Sequence, residues 1–459
     1  MRRLLALFAL FFAVPVQAAP LTLAEVLASS ARHQPLILEA MSRERQADAR
    51  VLTARGQFDL VFEADAQARP LGYYDGASAD LKATRPLQGN GGNIYGGYRL
   101  STGAFPLYEG KSVTNALGEV RAGAVFALLR DRLIDERRGR RDLAQGDVEI
   151  AAFEREVVAI GVQRRAIDAY QQWVAAGLRL ALYRELADLA RNRQASIERQ
   201  VQLGARPAIL AVENRQNIVR RTALVVRSEQ ELALLANALS LFLRDGLGRP
   251  VVPAADRLPR DLPDGVRPRL QEVELHRAER PDLRTLVARI AQADLRARLA
   301  ENELRPRLDV RVEGSKDFGA GSPTRTPAEA MVGLRFSMPL EQRAARGRIA
   351  EVAAERDALS HRRRLLEEQI DVDIANLQTQ VGGAGKLVQL AGDEAALARR
   401  MAEAERRRFD LGASDFLLVN LREESAADAA LRTLDARLRE AAARVELAAV
   451  LADRQALGL

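Results

Sequence analysis

The chain has 459 residues, 29% of them charged, with 69 Lys and Arg against 62 Asp and Glu for a formal charge of +7. It contains no cysteine, which excludes disulfides, thiolate metal sites and a lipid-bearing N-terminal cysteine. Aromatic residues are scarce and do not interleave with the basic ones. The positive surplus therefore belongs to mixed-charge helical faces, including Arg137-Arg138, Arg362 to Arg364 and Arg406 to Arg408, and nucleic acid is excluded as a partner.

The N-terminus shows the three zones of a secretory signal peptide: Arg2 and Arg3, the apolar run Leu4 to Val14, and small residues in Val16-Gln17-Ala18. Residues 1–18 are expected to be removed, leaving a mature chain that starts near Ala19. The apolar run has roughly half the length a bilayer-spanning helix needs, about twenty residues. No later run approaches eighteen apolar residues, so no helical membrane span is expected. Any membrane part must be a closed β-barrel, because lipid satisfies no open strand edge.

In chain order, the pattern predicts a helix over 22–56. A strand around 58–67 follows, in which Phe58, Leu60, Phe62, Ala64 and Ala66 alternate with Asp59, Val61, Glu63, Asp65 and Gln67. Between Gly72 and Asn115, segments 80–87 and 93–102 read either as an extra hairpin or as an irregular loop rich in Gly and Tyr. A strand over 119–129 places Val120, Ala122, Ala124, Phe126 and Leu128 on one face. A very long helix is predicted over 131–203, a turn at Gly204, and a helix over 206–246 with Pro207 in its first turn. After the Pro-rich connection 249–268 come a helix over 269–304, strands at Arg307–Glu313 and Val332–Met338, and helices over 340–411 and 414–456. The last pair is joined at Gly412, with Ser414 as the expected N-cap.

The chain contains itself twice. A gapless shift of 208 positions pairs Gln172 with Gln380, Gly177 with Gly385, Leu182 with Leu390, Leu189 with Leu397, Arg199 with Arg407 and Gly204 with Gly412. A second echo pairs His33-Gln34-Pro35-Leu36 with Glu279-Arg280-Pro281-Asp282. The chain is thus expected to comprise a first repeat, 19–248, the connection 249–268, and a second repeat, 269–459. Helix 131–203 would be roughly 110 Å long, and its two shorter neighbours stacked end to end would match it. A long helix flanked by two half-length helices is a modular cylinder wall, which no compact globular domain needs.

Strict alternation in the strands means one apolar and one wet face, as in a barrel with lipid outside and water inside. Arg307, Asp309, Arg311, Glu313 and Arg335 are then the lumen-facing set. Four such strands cannot close a barrel alone, so assembly from several chains is required. Two chains would give eight strands and a filled interior; three would give twelve and an open lumen.

Catalytic and metal chemistry is not in evidence. His33, His276 and His361 lack ligand spacing, and Asp371 and Asp373 face different ways on a helix. The glycines Gly89, Gly91, Gly92, Gly96 and Gly97 lack the strand-to-helix context and the Lys of a phosphate loop. No cofactor, no metal and no enzymatic activity are expected.

Across essentially the whole mature chain these features resemble the TolC family of outer-membrane efflux proteins. The residues that carry the resemblance are Leu21-Thr22-Leu23-Ala24-Glu25-Val26-Leu27, Pro35, Pro281-Asp282-Leu283, Arg305-Pro306-Arg307-Leu308-Asp309, Ser337-Met338-Pro339-Leu340 with Arg343-Ala344-Ala345-Arg346-Gly347, and Phe409-Asp410-Leu411-Gly412-Ala413-Ser414. The resemblance implies a mainly α fold with a β-barrel part: a homotrimer with a twelve-helix periplasmic α-barrel capped by a twelve-stranded outer-membrane β-barrel. It also implies an inner-membrane pump and a periplasmic adaptor. The adaptor would dock on hairpin tips corresponding to Leu203-Gly204-Ala205-Arg206 and Leu411-Gly412-Ala413-Ser414. Where the family often carries acidic residues of a charged constriction, this sequence has Leu418 and Leu421; the charged neighbours are Arg422 and Glu423, with Glu213 in the first copy. Gly177 and Gly385 read either as packing glycines or as a hinge. The resulting expectation is passive export through an outer-membrane duct, and the competing expectation is a secreted periplasmic coiled-coil scaffold.

Overall fold

A computed structural model describes residues 19–263, 265–269 and 278–459. The expected signal peptide, His276 and part of the helix expected over 269–304 lie outside the described residues. The chain divides into two compact units: residues up to Glu39 with Glu156–Arg280 and Gln369–Leu459, and Ala40–Arg155 with Pro281–Glu368. Each unit draws on both sequence repeats.

The elements run α1 (Leu23–His33), α2 (Pro35–Arg55), β1 (Val61–Ala68), β2 (Ala77–Pro86), β3 (Asn93–Thr102), β4 (Glu119–Ala127), α3 (Glu136–Gln202), α4 (Ile209–Leu239), α5 (Pro281–Glu303), β5 (Arg307–Asp317), β6 (Glu329–Ser337), α6 (Arg343–Asp410) and α7 (Phe416–Val450). The helix predicted over 22–56 is two. Pro35 drives Gln34 to extended backbone (φ −70°, ψ 122°), which ends α1. The long helix starts at Glu136, five residues later than predicted. Asp131 takes a left-handed φ of 68°, and Asp135 caps the new start by accepting from the Arg138 N–H at 2.8 Å.

In the first unit, salt bridges order the helices side by side. Arg179 of α3 reaches Glu231 of α4 at 2.8 Å and Asp435 of α7 at 3.0 Å, and Arg432 of α7 reaches Glu394 of α6 at 2.6 Å. The layer therefore runs α4–α3–α7–α6. Its core centres on Trp173, Ile167, Val162 and Leu239, with alanines such as Ala166 and Ala187 allowing close helix approach. The Tyr170 hydroxyl donates to the Leu21 carbonyl at 2.7 Å and ties the extended N-terminal segment into that core.

In the second unit, Glu44 of α2 pairs with Arg155 of α3 at 2.8 Å, Glu154 of α3 with Arg289 of α5 at 2.9 Å, and Glu355 of α6 with Arg296 of α5 at 3.0 Å. The helix order is α2–α3–α5–α6. The same unit holds one antiparallel sheet of six strands in the order β1-β2-β3-β4-β5-β6. The segments left open between Gly72 and Asn115 are thus a hairpin within the sheet, and the expectation of four strands per chain is corrected to six. Its turn is built for close contact. Gly91, at φ +64°, lies so near the Asp131 carbonyl that a Cβ would stand 2.0 Å from it. Arg138, expected on a solvated face, is instead buried. It donates to Gly89 O at 2.9 Å, Leu133 O at 3.0 Å and Asp131 O at 2.6 Å while pairing with Asp135, and so clamps the turn to the start of α3.

Burial pushes the Tyr170 phenol up to about 12, and the Glu25 charge adds to the shift. The folded state holds this proton more tightly than the unfolded chain. Its contribution to stability is thus complete below about pH 10 and is lost as pH rises from there toward 12, by about 2 kcal/mol. Thermal midpoints measured from pH 9 to 12 should fall more steeply for the wild type than for Tyr170→Phe, which has no proton to lose at this site.

Candidate functional site

The two helical hairpin tips are alike. Gly204 (φ +75°) and Gly412 (φ +77°) end α3 and α6 in the left-handed conformation. The Ala205 N–H donates to Gln200 O and the Ala413 N–H to Arg408 O, both at 2.8 Å. Gly204 and Gly412 donate to Val201 O and Phe409 O, both at 3.0 Å. This paired pattern satisfies the last helix carbonyls and leaves the preceding side chains outside. Leu203 and Leu411 are accordingly 83% and 84% exposed. Ala205 and Ala413 are exposed too, whereas Arg206 is half-buried with its guanidinium 5.2 Å from the centre of the Phe409 ring. Two local expectations change. The cap of α7 is Asp415, which accepts from the Leu418 N–H at 2.8 Å, while the Ser414 hydroxyl binds Glu405. Pro207 stands two residues before α4, outside its first turn.

Behind the tips, Ile197, Phe409, Phe416 and Val419 form a small apolar cluster that joins α3, α6 and α7. Next to it lies a buried cluster of charged side chains. Glu423 of α7 pairs with Arg193 of α3, with Arg221 of α4 at 3.1 Å and with Arg406 of α6 at 3.4 Å. Four helices thus meet at one carboxylate. The Arg221 and Glu423 side chains are each 1% exposed. Arg221 also donates to Leu186 O at 2.8 Å, and Arg193 to the Asn420 amide oxygen at 2.9 Å. Burial lowers the pKa of Arg193 from its ordinary value; Glu423 opposes that shift, and Arg221 and Arg406 add to it. Of the charged gate candidates, only Glu423 lies in this cluster: Glu213 is exposed and Arg422 half-buried. The three arginine partners carry no local sequence signal, being scattered among many others on the same helices.

The paired glycines differ. A Cβ on Gly177 would stand 2.7 Å from both methyls of Leu258, so this position accommodates the segment after α4. A Cβ on Gly385 would meet only Glu440, at 3.4 Å.

In the sheet, Arg307, Asp309, Arg311, Glu313 and Arg335 share one face; Asp309 stands opposite Arg335 across the β5–β6 pair. That face also carries residues the sequence reading did not single out. Asp80 pairs with Arg99 at 2.9 Å and with Arg121 at 2.5 Å, and Tyr95 hydrogen-bonds both Arg311 and Glu313. The other face is largely apolar, with Phe62, Leu81, Ile94, Val120, Val312, Val332, Leu334 and Phe336 all exposed; Arg85 and Lys316, each next to the last residue of its strand, are the charged side chains on it. Among the described residues no helix is long and apolar enough to cross a membrane, and no group of His, Asp and Glu could hold a metal ion.

No family model and no curated protein matches this sequence. Solved structures do match the fold. The CmeC outer-membrane channel of Campylobacter jejuni is 13% identical with a TM-score of 0.64, covering 94% of this chain and 85% of its own. The open state of the MtrE outer-membrane channel of Neisseria gonorrhoeae is 14% identical with a TM-score of 0.63, covering 94% and 88%. The outer-membrane protein VceC of Vibrio cholerae is 14% identical with a TM-score of 0.65, covering 94% and 96%. The chain has the outer-membrane channel fold. This fold agrees with the TolC-family resemblance carried by the sequence motifs. At these identities the likeness extends to the fold and stops there.

Among the described residues, Glu423 is the only carboxylate paired with Arg193, Arg221 and Arg406 together. Glu423→Gln should therefore destabilise the protein by about 3–5 kcal/mol, since it strands buried like charges. Arg220→Ala, which removes a largely exposed pair with Glu424, should cost less than about 1 kcal/mol. Thermal midpoints in detergent compare the two; equal effects would contradict a special role for the buried carboxylate.

Proposed function

We propose that this protein is the outer-membrane channel subunit of a periplasm-spanning tripartite pump, giving passive export through a homotrimeric duct. The observation that carries the reading is the two-faced sheet. Its exposed face of Phe, Leu, Val and Ile suits acyl chains, and its opposite face of ion pairs suits water. A soluble scaffold has no use for such a surface, which weighs against the coiled-coil alternative.

Assembly follows from unfinished margins. The edges β1 and β6 each have a neighbour on one side only, and lipid offers no hydrogen bonds to a bare edge. In the helical unit, the outermost helices α4 and α6 carry exposed apolar residues seven apart: Val212, Val219 and Val226 on one, Leu390 and Leu397 on the other. That spacing is a coiled-coil seam, and a second copy of the chain would cover it. In this reading the tips Leu203-Gly204-Ala205-Arg206 and Leu411-Gly412-Ala413-Ser414 receive a periplasmic adaptor. An inner-membrane pump supplies the driving force, and the hairpins move apart to open. The Glu423 cluster then holds the tips together in the resting state.

The test is fractionation. The wild type should appear in outer membranes as a heat-modifiable trimer, and a soluble periplasmic monomer would sink the duct. Val219→Asp combined with Leu390→Asp should abolish the detergent-resistant oligomer. By contrast, Leu203→Asp with Leu411→Asp should leave the trimer in outer membranes while eliminating adaptor cross-linking in cell extracts.

A further inference from the structure

We infer that the β2–β3 hairpin is part of the barrel wall, so that three chains close an eighteen-stranded outer-membrane barrel that selects cargo by size and not by sign of charge. The inference rests on the trimeric duct proposed above.

The hairpin is continuous with the sheet on both sides. β2 pairs with β1 over eight residues, from Val61↔Thr84 to Ala68↔Ala77, and β3 pairs with β4 from Asn93↔Val125 to Arg99↔Glu119. The register carries both faces through without a slip. Across the apolar face, Ala64 stands opposite Leu81, Leu81 opposite Tyr98, Tyr98 opposite Val120, and Ala124 opposite Val312. Across the polar face, Asp65 stands opposite Asp80, Asp80 opposite Arg99, and Arg99 opposite Glu119. A one-residue slip would have turned charges toward the apolar side. A hairpin folded over the sheet as a plug would share neither the ladder nor the alternation.

Width points the same way. Six strands spaced about 4.8 Å apart and tilted about 40° occupy roughly 38 Å of circumference, and four strands roughly 25 Å. The four helices α2, α3, α5 and α6 of the same unit, packed 8–10 Å apart, need about 32–40 Å. Six strands thus need about the width that the four helices of their own unit occupy. An even number of strands also leaves β1 and β6 antiparallel, so copies can pair edge to edge all the way round.

Eighteen strands give a backbone diameter of about 36 Å, against about 24 Å for twelve, more than doubling the cross-section. The polar face sets no single sign. Asp80 is held between Arg99 and Arg121, Arg99 also faces Glu119 at 3.8 Å, and Arg311 pairs with Glu313. The cargo class this favours is bulky, hydrated and polar, of either charge.

The natural chain has no cysteine, so single cysteines report cleanly. Full-length Leu81→Cys, Lys82→Cys, Val312→Cys and Ser315→Cys would each carry a bimane fluorophore in liposomes, quenched either by brominated lipid or by aqueous iodide. Lipid should quench positions 81 and 312, and iodide positions 82 and 315. Contrast at 312 and 315 without contrast at 81 and 82 overturns this inference and leaves the duct intact. Loss of contrast at both pairs overturns the duct and this inference with it. Deleting residues 77–102 leaves β1 free to pair with β4, and should shrink the largest neutral polymer radius admitted from the outer side about 1.5-fold. An unchanged cut-off in a deletion protein that still inserts as a trimer also overturns the eighteen-stranded wall.

Discussion

A β-sheet with one exposed apolar face and two unpaired edges is not a finished object. Each backbone N–H and C=O along the outer sides of β1 and β6 needs a partner, and water can serve only where the sheet is wet. The apolar face forbids that solution, because it demands an environment from which water is excluded. In the proposed duct the two demands are met together, because sheets from several copies close on one another inside lipid. The helical unit carries its own version of the constraint. Its four-helix layer ends in α4 and α6, and those two helices bear the exposed heptad-spaced residues. The proposed assembly would thus answer two constraints, backbone hydrogen bonding in one unit and side-chain burial in the other.

Behind the tips of the helical unit, a buried ion-pair cluster joins four helices. Burying Arg221 with Glu423 is expensive in desolvation, and a buried pair rarely adds net stability over an apolar replacement. What it adds is specificity. Apolar helices of this length could slide or rotate against one another at modest cost, whereas a carboxylate shared by arginines from three helices accepts one register only. Arginine suits the task because its planar fork reaches a carboxylate and a main-chain carbonyl at once, as Arg221 does with Glu423 and Leu186.

Much of this architecture is legible in the sequence. The duplicated glycines Gly204 and Gly412 mark both tips because left-handed backbone there admits little else. The two long helices are legible too: α3 and α6 have 67 and 68 residues within the spans 131–203 and 340–411 expected for them. Helix starts are less legible: Ser414 and Asp415 are both good caps, and the Ser414 hydroxyl is taken up by Glu405. The β2–β3 hairpin is faint for a different reason. Its alternation is kept at Asp80-Leu81-Lys82-Ala83, but Gly96 and Gly97 interrupt the signal in β3, and tyrosine stands on both faces at Tyr95 and Tyr98. Barrel strands carry little signal each, and glycines erase part of it. The Glu423 cluster is the least legible feature. Its partners come from distant segments, and on helices crowded with arginine no local rule tells the buried one from its solvated neighbours.

The absence of an acidic pair at Leu418 and Leu421 acquires a physical sense beside that cluster. A ring of carboxylates facing water attracts cations and repels itself, so something else must hold it closed. Here Glu423, close behind the tips, faces inward, where three guanidinium groups compensate it, and the positions of the missing acidic pair carry leucines. Leu417 and Leu421 are exposed one turn apart on α7, and Ile209, at the position equivalent to Leu417 in the first repeat, is exposed on α4. In the proposed duct, closure would then combine an ion-pair lock inside the wall with an apolar constriction that sheds water. The mixed-charge face of the sheet in the proposed duct would discriminate little by charge and would leave selectivity to cross-section and to whatever delivers the cargo.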